Sequence, residues 1–323
     1  MSPNTYTPQP NNVGTPTGVN AQRVLRARPR RVSMTAQSTL HWRAIESLRP
    51  DDERICYDPV ASKLMGPLWS CLSRNRFIKR RLIRQLDREY TGMANWIVGR
   101  TRYIDDLVKA EIERGIKQLV ILGAGYDTRA YRLHELEEHV KVIELDHVAT
   151  LKYKVAKVKI ALKTFPVKSI KNLVYIAIDF TRERLEAKLV QKFYDRNLKT
   201  LFIWEGVTMY LAAEAVDQTL AFIAANSGKG SSVVFDYHPR SVIDGTSDLM
   251  EVKKLRQTTA RWHEPMLFGI REDSIGEFLS SRGFDLVENL SGKSLKDAYF
   301  KGKGQERKVF PLIATVTARV RHQ

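Results

Sequence analysis

The chain has 323 residues, 43% of them hydrophobic, enough to bury a large core in one or two domains. It contains no run of about 18 apolar residues, which excludes a transmembrane helix of the usual length. A formal net charge of +17 at pH 7 invites a nucleic-acid or anionic-membrane partner, but its clusters read first as solvated faces.

Residues 1–20 are mostly Pro, Asn, Thr and Gly, with almost no apolar anchor, and are expected to be mobile. Five arginines follow (Arg23, Arg26, Arg28, Arg30 and Arg31), with no acid before Glu46. Pro29 interrupts any amphipathic helix there, so a plain basic arm is expected, with organelle targeting the alternative. Residues 1–33 are thus assigned to a mobile basic tail. Helical periodicity runs from Ala36 to Arg114: Leu40, Ile45 and Leu48 ahead of Pro50, then Leu82, Ile83 and Leu86, then Ile104, Leu107, Val108 and Ile112 ahead of Gly115. Residues 34–115 are assigned to a helical cap. Cys56 and Cys71 are not spaced as a metal or redox pair. A reduced, cytoplasmic protein is expected, a Cys56–Cys71 disulfide being the alternative.

Gln118–Arg129 reads QLVILGAGYDTR: a buried strand, a tight glycine turn and a helix start. Such a turn admits the polar end of a ligand to backbone N–H groups. A dinucleotide fingerprint wants a third glycine where Thr128 stands. A second apolar strand from Val140 ends in Glu144-Leu145-Asp146, placing an acid at its tip to accept from ribose hydroxyls. A nucleoside without a pyrophosphate fits this pairing better than NAD; an ordinary βαβ unit is the alternative.

Further apolar runs, Leu173–Ile178, Leu201–Trp204 and Ser232–Phe235, continue the alternation, which predicts an α/β fold with a doubly wound, mostly parallel sheet. Phe284–Val287 and Leu312–Val320 alternate as a terminal hairpin would. Residues 116–323 form the α/β assignment. Pro239, Gly245 and Pro265 break the pattern between 236 and 271, where a substrate-side insertion is expected.

ILGAGYDTRAYRL followed by VIELDHVAT resembles the leucine carboxyl methyltransferase family, and TAQSTLHWRAIESLRP, YDPVASKLMG, GRTRYIDDLV and WEGVTMYL agree with it. The resemblance runs from about Thr35 to Tyr237 and is similar to the family's bacterial methyltransferase group. It implies a Rossmann-like class I methyltransferase of seven strands, one of them antiparallel near the edge, with S-adenosyl-L-methionine as cofactor. It implies that Arg102 clamps the cofactor's methionine carboxylate, a surface arginine being the plain alternative. Gly123, Ala124 and Gly125 would underlie the methionine and ribose. Asp146, with Glu144 as substitute, would hold the nucleoside, Asp179 and Phe180 would border the adenine, and Glu205 would border the cofactor. The helix cap is the bland role for Asp179, and structural support is expected of Asp127 and Arg129.

No general base is assigned. Tyr210, His238, Trp262 and His263 are the acceptor-side suspects, His238 being a base or a solvated loop residue. The expected reaction is O-methylation of a carboxylate or hydroxyl, on a small molecule or a peptide C-terminus. An RNA-directed methyltransferase and a non-catalytic adaptor that uses the basic arm are the alternatives.

Overall fold

The computed structural model describes residues 33–89, 92–136, 139–162, 172–189 and 193–322. The mobile basic tail expected over 1–33 lies outside these, Ser33 excepted. Ser33 opens the first helix, Met34–Glu46, its side chain accepting from the Ala36 N–H. Asp58 caps the next, Pro59–Leu64, through the Ala61 N–H at 2.8 Å. Helices Pro67–Leu72, Arg76–Glu89 and Met93–Glu113 follow before any strand. The last carries a buried stripe through Trp96, Ile97, Ile104 and Val108. It ends ahead of Gly115, whose φ of +85° a residue with a Cβ adopts only under strain.

Seven strands form one sheet: β1 (Gln118–Leu122), β2 (Lys141–Asp146), β3 (Leu173–Ala177), β4 (Thr200–Trp204), β5 (Ser232–Tyr237), β6 (Phe284–Ser291) and β7 (Ala314–Val320). Their order is β3-β2-β1-β4-β5-β7-β6. β1 through β5 pair in parallel, and β7 runs antiparallel to both β5 and β6. β1 and β4 are buried along their whole length, as expected of strands covered on both faces. The chain winds outward from β1 to β3, then returns to the other side of β1 as β4. That reversal leaves a crevice beyond the carboxyl ends of the central strands, where such sheets take ligands.

The terminal pair is antiparallel, as its alternation predicts, but it is not a tight hairpin. Ser291 caps a helix, Gly292–Tyr299, between the two strands. Leu295 of that helix packs over Gly99 of the Met93–Glu113 helix, where an added Cβ would lie 2.9 Å from Leu295 Cδ2. Cys56 is buried and Cys71 exposed, and both are free. Among the described residues, no helix is long and apolar enough to cross a membrane.

Candidate functional site

The crevice holds a cavity of about 550 Å³ floored by the turn after β1. Gly123 has φ +69° there, and a Cβ on it would stand 2.3 Å from Val207 Cγ2, so only glycine fits. The Gly125 N–H donates to Asp146 Oδ2 at 2.5 Å, and the His147 N–H to Oδ1 at 2.5 Å. Asp146 is thereby fixed at the end of β2 with lone pairs left for a ligand's hydroxyls. Burial raises its pKa despite those two donors. The first helix walls the cavity with Thr35, Thr39 and Trp42, and Trp262–Leu267 closes the other side. These two walls meet where the Thr35 N–H donates to Glu264 Oε2 at 3.1 Å.

One end of the cavity is ionic. Arg100, 3% exposed, meets Glu205 Oε1 at 2.8 Å and Asp236 Oδ2 at 2.5 Å, with its guanidinium 4.6 Å from the centre of the Trp96 ring. Its Nε is buried without a partner. Arg129 is fully buried, bonded to Asp105 at 2.8 Å, to Glu205 at 2.7 Å and to Asp127. Burial would push the Glu205 carboxyl up, but Arg100, Arg129 and Arg43 outweigh it and hold the carboxyl at about 2.

A folded-state value below the ordinary 4.5 stabilises the protein above that pH, and the contribution is lost as pH falls through about 2. Glu205→Gln is therefore expected to be less stable than wild type at pH 7, the gap narrowing between pH 4.5 and 2. Denaturant unfolding of both proteins across that range measures it, and a gap independent of pH would contradict it.

Gly123, Ala124, Gly125, Asp146, Asp179, Phe180 and Glu205 all line this one cavity. Asp179 also caps its own turn, Oδ1 accepting from the Thr181 N–H at 3.0 Å. Arg102 stands elsewhere, and this corrects its assignment: its side chain is 50% exposed and paired with Asp106 at 2.9 Å, and it does not line the cavity. Arg100, two residues earlier, does. The signal was in the helix period, because Arg100 continues the stripe of Trp96 and Ile104, while Arg102 shares its face with Asp106. Glu144 is no substitute for Asp146. It is fully buried and bonded to Lys154 at 2.5 Å, with no part in the cavity. Asp127 and Arg129 brace the loop, Asp127 accepting from the Arg129 N–H at 2.7 Å.

On the acceptor side, Tyr210, His238, Trp262 and His263 line the cavity. His238 is 2% exposed, not solvated, and its Nδ1 lies 3.0 Å from the Leu312 carbonyl oxygen. That contact places a proton on Nδ1 and leaves Nε2 as an acceptor. Burial lowers its pKa to about 4, so the ring is neutral at physiological pH.

The family model described as Leucine carboxyl methyltransferase matches residues 36–224. The Bacillus subtilis (strain 168) protein "Putative S-adenosyl-L-methionine-dependent methyltransferase YktD" is 28% identical over 251 residues, 75% of this chain and 81% of that one. A Streptomyces coelicolor protein of the same designation, SCO7813, is 31% identical over 221 residues, 67% and 72% of the two chains. Among solved structures, a methyltransferase from Thermobifida fusca YX, itself titled "putative", superposes with a TM-score of 0.52 at 14% identity, covering 87% of this chain and 94% of that one. At that identity the likeness speaks for the fold alone.

Proposed function

Because the chain belongs to the leucine carboxyl methyltransferase family, whose members here are S-adenosyl-L-methionine-dependent methyltransferases, we propose that it is an O-methyltransferase acting on a carboxylate or hydroxyl. The observation that carries this reading is the order of cavity groups across the carboxyl ends of the strands: Glu205 after β4 with Arg100 paired to it, then the Gly123–Gly125 cradle after β1 and Asp146 at the end of β2, then Asp179 and Phe180 after β3. The cofactor presents a carboxylate and ammonium, a ribose diol and an adenine in the same order. The unpartnered Nε of Arg100, in a guanidinium that lines the cavity, fits such a guest.

When bound, S-adenosyl-L-methionine supplies an electrophilic methyl on a sulfonium. Arg100 would hold its carboxylate, Glu205 its ammonium and Asp146 its ribose hydroxyls. The two walls that meet at Thr35 and Glu264 would exclude water, leaving alignment of the acceptor oxygen as the remaining task. A carboxylate needs no base, whereas a hydroxyl must lose its proton, and His238, neutral and one of three histidines lining the cavity, would take it. The free cysteines accord with a reducing, cytoplasmic setting.

Calorimetric titration of S-adenosyl-L-methionine and its demethylated product tests the cofactor assignment. Wild type is expected to bind both. Asp146→Ala should bind roughly 10- to 100-fold more weakly, since charged hydrogen bonds of about 1.5–3 kcal/mol are lost. No binding by folded wild type would sink the reading. Acceptor screening then uses His238→Gln: turnover of a hydroxyl acceptor should fall by about 10² or more, and that of a carboxylate should stay near wild type. Equal losses on both classes would remove His238 from proton transfer.

A further inference from the structure

The helix–turn–helix over Pro67–Glu89 takes no part in the cavity, yet it carries a dense run of positive charge. Arg74, Arg76, Lys79, Arg80, Arg81, Arg84 and Arg88 lie within fifteen residues, with Asp87 the one acid among them. Asp87 is committed to Arg49 at 2.7 Å. Among the described residues, Arg74, Arg80, Arg81, Arg84 and Arg88 pair with no carboxylate, although five such cations so close together repel one another. Beside them, Leu68, Phe77 and Leu72 are 73%, 70% and 39% exposed. Leu68 and Leu72 are four residues apart on one face of their helix, and Phe77 follows just across the turn, under the Arg76 guanidinium.

Isolated exposed apolar residues need no explanation, but three of them adjoining a run of unpaired cations do. We propose that this element docks the enzyme on an anionic phospholipid surface: the arginines meet the headgroups while Leu68, Leu72 and Phe77 enter the headgroup–acyl boundary. Charge complementarity selects the partner, and the apolar side chains select lipid over nucleic acid, whose phosphates would be served by the cations alone. The Arg76–Glu89 helix packs on the first helix, which itself lines the cavity. His41 of that helix stacks edge-on against Trp69 at 5.3 Å. Docking would therefore set the cavity wall within one helix of the membrane.

Co-sedimentation of the full chain with phosphatidylcholine vesicles, with and without phosphatidylserine, tests this. Binding is expected only with phosphatidylserine and should weaken as salt rises. Arg80→Glu/Arg84→Glu should lower partitioning by roughly tenfold or more, at about 1 kcal/mol per basic residue near the surface. Leu68→Ser/Phe77→Ser keeps every charge and should still lower it severalfold. The N-terminal arginines carry charge of their own but would not feel that apolar change. Retained S-adenosyl-L-methionine binding by each variant shows that it is folded. Undiminished vesicle binding by Leu68→Ser/Phe77→Ser overturns the proposal, as does tighter binding to single-stranded RNA than to the vesicles.

Discussion

Arg129→Met is expected to destabilise the protein by about 3–5 kcal/mol, the cost of removing one partner from a buried ionic cluster. At this chain length that corresponds to a fall of roughly 10 °C in Tm. Arg129 is fully buried, exceeded in volume among the fully buried described residues only by Trp96 and Trp204, and it answers three carboxylates at once: Asp105, Asp127 and Glu205. Burial alone would discourage its charge, but those three acids outweigh it and hold the guanidinium well above its usual value. Methionine fills part of the volume and leaves Asp127 without its guanidinium, while Glu205 keeps Arg100 at 2.8 Å. Arg132, bonded to Asp105 at 2.7 Å, can serve only one of the three. Thermal unfolding beside Arg102→Met, which alters an exposed side chain and should cost within about 0.5 kcal/mol, supplies the scale. Equal midpoints for the two variants would show that the cluster contributes nothing to stability.

The cluster also explains what the sequence could and could not disclose. The Gly123–Gly125 turn and Asp146 were legible because the information is local: an apolar run, glycines where φ turns positive, and an acid at the end of the next strand. The parallel βα alternation, and with the family resemblance the seven strands and the antiparallel one near the edge, were likewise within reach. Asp236 was not. It is an acid within an apolar strand, and its purpose emerges only when Arg100, Gly206 and Thr315, far away in sequence, converge on it. The burial of His238 is hidden for the same reason, since the carbonyl that holds it belongs to Leu312, far along the chain. Arg102 is a different kind of miss. The motif named a pair of arginines two residues apart, which project from a helix about 200° apart, so choosing between them was a question of period and not of motif.

That choice yields the second large effect. Arg100→Met is expected to weaken S-adenosyl-L-methionine binding by about 100-fold, whereas Arg102→Met should change it by no more than about twofold. Arg100 is the cavity guanidinium with a buried, unpartnered Nε, whereas Arg102 spends its charge on Asp106 in solvent. A drop in affinity by itself would be ambiguous, because removing Arg100 also strands Asp236, which is fully buried and already raised in pKa by that burial. Arg100→Met/Asp236→Asn separates the two effects. The amide oxygen can still accept from the Gly206 N–H, now 2.7 Å from the carboxylate, and no buried anion remains at that position to be neutralised. The double variant should therefore recover most of the lost Tm while binding as weakly as Arg100→Met. If affinity returned together with stability, Arg100 would be a brace for the β5 end and not the cofactor's anchor. If Arg102→Met bound as poorly as Arg100→Met, the motif would have outranked the period after all.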